Sequence, residues 1–98
     1  MTNFNDMLSK AKAMQDKMKE AQDKIKKIEV NGEAGGNLVK VVLTGDYEIK
    51  SILISEEAKK EDQEIINDLI KAAYNNAKEN LKKKSSEELS KVTGGLNL

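Results

Sequence analysis

Apolar and small residues recur along the first third of the chain in alternating steps of three and four. This spacing is the a/d heptad pattern of an amphipathic helix that packs against another helix. No Pro or Gly interrupts the pattern before Gly32, Asn3 is suited to cap the first turn, and Asp6 favours the positive end of the helix dipole. We therefore predict one long helix over residues 3–29. Its a and d positions are Phe4, Met7, Ala11, Met14, Met18, Ala21, Ile25 and Ile28.

The length of this helix indicates that it protrudes. A helix of about 26 residues is roughly 39 Å long, whereas a compact domain of about 100 residues has a radius of gyration of only about 13 Å. Ala11 and Ala21 weaken the apolar positions, so the helix would not form a strong coiled coil by itself. We expect it to pack against the C-terminal helix of the same chain or against a second subunit, with its far end in solvent.

The middle of the chain, residues 28–54, is rich in β-branched residues and punctuated by glycines. Gly35 and Gly36 allow a turn with positive φ, and Gly45 with Asp46 marks a second turn. This pattern predicts an antiparallel three-stranded meander. The strands are expected at residues 28–32, 38–44 and 47–54.

The second hairpin allows two registers. A two-residue type II′ turn at Gly45-Asp46 is compatible with Gly in its first position. We prefer a three-residue loop, because it separates apolar from polar side chains more cleanly. The apolar face would then hold Val39, Val41, Leu43, Ile49 and Leu53, and the opposite face Lys40, Thr44, Glu48 and Lys50, joined by Val42, Ile52 and Ile54.

The last third of the chain predicts helices. Ser55 is suited to cap the short turn that follows it, and a long helix is expected over about residues 62–84, with Ile66 and Leu69 on its apolar face. Ser85 and Glu88 match a capping box, so we predict a break there and a short helix through Val92. The whole C-terminal helical region spans 62–92, and residues 93–98, beginning at a Gly-containing stop, are expected to form a flexible tail.

These elements predict a single α+β domain over residues 1–98, with two layers, the order α-β-β-β-α(α) and long protruding helices. Three strands form a marginal sheet with unpaired edges, and pairing with a second copy would protect them. We therefore expect a dimer. The residues expected in the core or the dimer interface are Leu38, Val39, Val41, Leu43, Ile49, Leu53, Ile66 and Leu69.

Composition narrows the classes of function. The chain has no Cys and no His, which removes thiolate nucleophiles, the usual zinc ligands and the common proton shuttle. We expect no enzymatic activity, no catalytic residues, no metal and no cofactor. No apolar run is long enough to span a membrane, and the N-terminus lacks the pattern of a signal peptide. We therefore expect a cytoplasmic protein without a membrane partner.

The charged residues balance, with 17 Lys against 17 Asp and Glu, so only local clusters of lysine would bind an anion. Arg is absent, which favours contacts with phosphate over bidentate recognition of base edges. An alternative explanation for each cluster is a solvated helix face with ordinary i,i+3 and i,i+4 ion pairs, or stabilisation of a helix C-terminus. The candidate residues are Lys10, Lys12, Lys17, Lys19, Lys24, Lys26 and Lys27 in the first helix, and Lys78, Lys82, Lys83 and Lys84 near the C-terminus.

Several segments together resemble one known family. The turn Glu33-Ala34-Gly35-Gly36, followed by Leu38-Val39-Lys40-Val41, then Thr44-Gly45 and finally Val92-Thr93-Gly94-Gly95-Leu96, is similar to the pattern of the YbaB/EbfC family of bacterial nucleoid-associated proteins. The resemblance covers nearly the whole chain. It implies a homodimer whose two helical arms protrude like tweezers and bind double-stranded DNA, with little sequence preference.

The resemblance also implies a role in the nucleoid, in chromosome organisation or gene regulation, with recombination or replication proteins as possible partners. The candidate lysines would then contact DNA phosphates. The alternative is a protein–protein adaptor in DNA recombination or repair, in which the heptad-patterned helix binds a partner helix.

Overall fold

The structure is a computed structural model that describes residues 3–94, with side chains for residues 3–92. It confirms the α+β class, the long first helix and the three-stranded antiparallel meander, in which the strand order is β1-β2-β3. A single long helix follows the sheet after one short helical turn. The elements are α1 Phe4–Lys26, β1 Glu29–Ala34, β2 Val39–Thr44, β3 Ile49–Ile54, α2 Glu56–Lys59 and α3 Gln63–Gly94.

The ends of α1 and α2 follow local capping chemistry. The Asn3 side chain accepts a hydrogen bond of 2.8 Å from the Asp6 N–H, which satisfies one free donor of the first turn. The Ser55 hydroxyl accepts a bond of 3.1 Å from the Ala58 N–H and caps α2 in the same way. Both predicted caps are confirmed. Helix α1 ends at Lys26, earlier than expected, because β1 begins at Glu29.

The two turns of the meander differ in which residues adopt a positive φ. Gly35 and Gly36 have φ of 63° and 72°, as the β1–β2 turn was predicted to require. In the β2–β3 turn, the Thr44 N–H donates to the Glu48 carbonyl at 2.9 Å and the Tyr47 N–H donates to the Thr44 carbonyl at 3.0 Å. Tyr47 takes the left-handed position with φ of 64°. The loop therefore has three residues, as preferred from the sequence, and the two-residue alternative is wrong.

The predicted face of β3 is partly wrong because the strand contains a β-bulge. Leu43 pairs with Ile49, but Val42 pairs with Ser51, so Lys50 is an extra residue in β3. One extra residue moves all later side chains of the strand to the opposite face. Leu53 therefore pairs with Lys40 on the open face and is 59% exposed. Two residues predicted on the polar face, Ile52 and Ile54, pair instead with Val41 and Val39 on the face toward α3.

Helix α3 covers β1 and β2 with small residues. Ala73, Ala77 and Leu81 are fully buried against Val39, Val41 and Leu43, which are also fully buried. Gly32 in β1 lies so close to α3 that a methyl group there would overlap the Ala73 carbonyl and the Ala77 N–H. Gly32 thus allows the strand and the helix to approach within backbone contact. Leu38 and Leu69, both predicted core residues, pack at the edge of this cluster.

Two asparagines of α3 bind the outer edge of β1. The Asn76 side chain accepts a hydrogen bond of 3.0 Å from the Glu33 N–H, and the Asn80 side chain donates one of 2.8 Å to the Asn31 carbonyl. These backbone groups point away from β2 and would otherwise lie free at the edge of the sheet. The β1 edge is therefore partly occupied by the chain's own helix, which leaves β3 as the more open edge of this sheet.

The predicted break at Ser85 is wrong. Helix α3 continues through Ser85 and Glu88 to Gly94 without interruption. Ser inside a helix costs only about 0.5 kcal/mol relative to Ala, and packing of this part of α3 against α1 offsets that cost. Of the predicted tail, Thr93 and Gly94 belong to α3, and residues 95–98 lie outside the described residues.

The two long helices give the molecule an extended shape, with principal dimensions of 70 × 19 × 16 Å and a radius of gyration of 19.6 Å. Residues 17–24 of α1 and 88–92 of α3 line a common cleft of about 170 Å³. Because α1 ends at the sheet and α3 leaves it, the two helices run antiparallel. Packing of α1 against the C-terminal helix is confirmed, and its far end is exposed, with Phe4 73% accessible.

Candidate nucleic-acid interface

Six of the seven candidate lysines predicted for the first helix lie in α1 and fall into two rows along it. Successive residues of an α-helix are about 100° apart, so residues seven positions apart lie on nearly the same side. Taking Phe4 as heptad position a, one row occupies the g positions beside the apolar stripe, and the other occupies the b positions, farther round on its other side. The g row is Lys10, Lys17 and Lys24, and the b row is Lys12, Lys19 and Lys26.

Two of the four acidic residues of α1 lie on the back of the helix relative to the apolar stripe. Asp16 and Asp23 occupy f positions, opposite the stripe, whereas Asp6 and Glu20 occupy c positions, which are as far from the stripe as the b row of lysines. Lys27, just after the helix, is the one candidate lysine that continues the c positions. Six lysines against four acids thus leave α1 net positive, and the g positions beside the apolar stripe hold lysine and no acid.

The alternative of ordinary ion pairs receives no support within α1. Among the described residues the ion pairs join Lys50 with Glu29, Lys59 with Glu56 and Lys91 with Glu88, and none of them involves α1. The α1 lysines are all exposed. They are therefore available to an external anion.

The consecutive lysines of α3 do not form a single row as those of α1 do. Lys82, Lys83 and Lys84 are consecutive, so their side chains leave the helix in three directions about 100° apart. Lys83 and Lys84 line a cleft with Glu29 and Asn31 at the β1 edge, whereas Lys82 shares its side of α3 with Lys78. A single ligand would meet only part of this run.

Strand β3 presents an apolar surface at the open edge of the sheet. Ile49 and Ile52 are 48% and 41% exposed on the side toward α3, and Leu53 is 59% exposed on the other side. Tyr47, in the adjoining turn, is 42% exposed. This strand combines free backbone groups with apolar side chains on both faces, which is typical of a strand that pairs with another chain.

The β2–β3 turn also contacts the base of α1, a contact that sequence patterns missed. A methyl group on Gly45 would overlap the Ile25 carbonyl oxygen and lie 2.6 Å from its carbonyl carbon. Gly45 thus allows direct backbone contact between the turn and the last turn of α1. The sequence signalled Gly45 only as a turn residue, and nothing local in it indicates the distant helix.

The described residues contain no group of three or more acids, histidines or cysteines arranged to hold a metal ion. Within residues 3–94, no helix is long and apolar enough to cross a membrane.

Comparison with known proteins gives a consistent result. The family model of the YbaB/EbfC DNA-binding family matches residues 1–96. A nucleoid-associated protein of Rickettsia typhi is 42% identical over 99 residues, covering 100% of this chain and 92% of that protein. One of Rickettsia canadensis is 41% identical with the same coverage. The crystal structure of an uncharacterized Helicobacter pylori protein has the same fold, with a TM-score of 0.68, 17% identity and full coverage of both chains.

Proposed function

Because the chain belongs to the YbaB/EbfC DNA-binding family, we propose that it binds double-stranded DNA as a homodimer through lysine–phosphate contacts and acts in the nucleoid, in chromosome organisation or gene regulation. The observation that carries the proposal is the arrangement of lysines on α1, where two exposed rows stand on either side of the apolar stripe and none of these lysines is in an ion pair within the described residues. With six lysines against four acids, α1 is net positive, and the lysines beside its apolar stripe offer DNA a basic side.

The side chains present favour binding with little sequence preference. Lys provides a flexible point charge for phosphate, whereas bidentate reading of guanine usually employs Arg, which the chain lacks. Phosphate contacts position a protein on the duplex and carry no sequence information of their own. The surface that faces between the two lysine rows is apolar, so it offers few donors or acceptors to base edges.

The proposed homodimer rests on strand β3. Its edge is unpaired in the single chain, and the apolar residues around it are exposed on both faces. Pairing of β3 with a second copy would bury them and extend the sheet. Two copies of α1 would then protrude from one fused core and contact the duplex at two places.

The first test is the dependence of DNA binding on salt. We expect affinity for a duplex of random sequence to fall steeply between 50 and 200 mM NaCl, with a logarithmic slope of about −0.9 for each phosphate neutralised. Fluorescence anisotropy of a labelled duplex measures the slope, and a second duplex of unrelated sequence is the control. A slope near zero would contradict lysine–phosphate binding, and strong preference for one duplex would contradict weak specificity.

The second test concerns the dimer. Sedimentation at micromolar concentration is expected to give twice the chain mass of 10.9 kDa. Replacing Ile49 and Ile52 together with Lys should yield a folded monomer, because the two charges would lie inside the paired edge. Met7→Lys, on the exposed part of α1, is the matched control and should leave the mass unchanged. A wild-type monomer, or a dimer that survives the double substitution, would refute pairing through β3.

A further inference from the structure

The apolar stripe of α1 is covered only in part. Its C-terminal part is packed, since Ala21 is 4% exposed and Ile25 is half-buried. Its N-terminal part is open, with Phe4 73%, Met7 59% and Leu8 53% exposed. The open part, residues 4–18, is called the free seam below.

The shape of the free seam fits a helix. Its apolar residues follow the a and d positions, with Leu8 as the only apolar residue at an e position. Such a narrow stripe is typical of a helix-to-helix contact, whereas a helix that lies on a membrane has a wider apolar face. The free seam also continues the positions that pack against α3 in the same chain. It therefore extends an existing helix interface beyond the point where α3 ends, at Gly94 in the described part of the chain.

The packed half shows which charges the interface accepts. Lys17 and Lys24 of the g row line the cleft between α1 and α3 together with Glu88 of α3. Glu20 of α1 and Lys91 of α3 line the same cleft, and Glu88 pairs with Lys91 at 3.1 Å, so the packed half accepts charges of both signs. Along the free seam, Lys10 continues the g row, and the e positions Gln15 and Leu8 on the other side are uncharged.

From this continuity and charge pattern, we propose that the free seam binds an amphipathic helix of a partner protein, with acidic residues beside the partner's apolar stripe. This interaction goes beyond DNA binding and does not depend on it. Both would employ the lysines of the g row, so the partner helix and DNA compete for the same arm.

A second copy of α1 is a poorer occupant. Antiparallel pairing of two such helices would bring the g rows together, and Lys10 and Lys17 would face lysines of the other copy. Parallel pairing would place these lysines opposite Gln15 and Gln22, which provide no opposite charge. An amphipathic helix with acidic flanks would bury the apolar stripe and also place carboxylates next to the lysine row.

The test employs designed peptides as probes and the full chain as receptor. One labelled peptide has three heptads with Leu at a and d and Glu at e and g, and a matched peptide has Lys in place of Glu. We expect saturable binding of the Glu peptide and at least about 10-fold weaker binding of the Lys peptide, because the latter places like charges together. Met7→Gln with Met14→Gln should weaken binding of the Glu peptide by about 10-fold, since both substitutions replace an apolar side chain in the seam with a polar one.

Charge reversal provides the sharper control. In a Lys10→Glu, Lys17→Glu variant, we expect the preference to switch to the Lys peptide. Non-specific hydrophobic binding would show no such switch. Ile65→Gln, at an exposed apolar residue of α3, should leave peptide binding unchanged. Circular dichroism checks that each variant is folded, and the peptide result holds whether or not DNA binds.

Four outcomes would overturn the proposal. These are no saturable binding of the Glu peptide, binding unaffected by the Met7 and Met14 substitutions, a preference that does not switch on charge reversal, and a lower sedimentation mass of the Met7 and Met14 variant. The last would show that a second copy covers the free seam. Binding to phosphatidylglycerol vesicles without binding to the Glu peptide would likewise reject a partner helix.

Discussion

Replacing Gly32 with Val is expected to destabilise the protein by more than about 4 kcal/mol, most of the stability of a typical small domain. A side chain at this position would overlap backbone atoms of Ala73 and Ala77. Backbone atoms in the middle of a helix cannot rotate away, so α3 would have to lift off the sheet and expose the core. Urea denaturation followed by circular dichroism at 222 nm measures the loss, and the variant should be largely unfolded without denaturant.

Gly36→Ala is the matched control for this prediction. Gly36 has φ of 72°, but a methyl group there would meet no atom within 4 Å. The control therefore carries only the backbone strain of a left-handed residue, about 1–2 kcal/mol. If Gly32→Val were as stable as Gly36→Ala, the close approach of β1 to α3 would not be a determinant of the fold.

The second large effect concerns DNA. Replacing Lys10, Lys12, Lys17 and Lys19 together with Gln is expected to weaken binding to duplex DNA by about 50-fold or more at 0.1 M salt, even if only two of these lysines reach a phosphate. The salt slope should become shallower by about 0.9 for each phosphate that the variant no longer neutralises. Gln is as good a helix former as Lys, so α1 should remain intact. Anisotropy titrations at several salt concentrations measure both quantities.

The back face of α1 provides the control for this lysine variant. Replacing Asp16 and Asp23, at the f positions, with their amides changes two charges on the same helix, but on the side opposite the apolar stripe. We expect affinity to stay the same or to rise slightly. A large gain would contradict the proposed orientation of the arm, and an unchanged affinity of the lysine variant would remove α1 from the DNA interface.

Local patterns in the sequence were sufficient for most of the fold. The cap at Asn3, the positive φ of Gly35 and Gly36, and the three-residue loop before Glu48 each depend on residues a few positions apart. The heptad spacing likewise predicted one long helix. Such features are set by backbone sterics and side-chain hydrogen bonds within one turn.

The sequence-based predictions were wrong where contacts between distant parts of the chain determine the local structure. The extra residue Lys50 reverses the faces of Ile52 and Leu53, and no local pattern marks it, because apolar residues stand on both sides of β3. Ser85 and Glu88 have the spacing of a helix start, but tertiary packing against α1 keeps α3 continuous. Gly32 was interpreted as the end of a strand, although its role is contact with a helix more than 40 residues away.

The candidate site was predictable as a set of lysines but not as a surface. The sequence shows seven lysines in the first 27 residues, and helical geometry sorts the six that lie in α1 into rows. Which part of the arm is free depends on where α3 lies against Ala21, and only the three-dimensional structure gives that position. The densest basic run in the sequence is divided, since Lys83 and Lys84 line one cleft and Lys82 lies on another side of α3.

The close contact between Gly45 and the Ile25 carbonyl fixes the base of α1 against the β2–β3 turn, so that this contact acts as the pivot of the helix. The helix has 23 residues and is about 34 Å long, so a tilt of 10° at the pivot would displace its tip by roughly 6 Å. That displacement is about half the width of the DNA major groove. A substitution in this small turn would therefore re-aim the lysine rows and, in the proposed dimer, change the distance between the two arms, while leaving every charged residue in place.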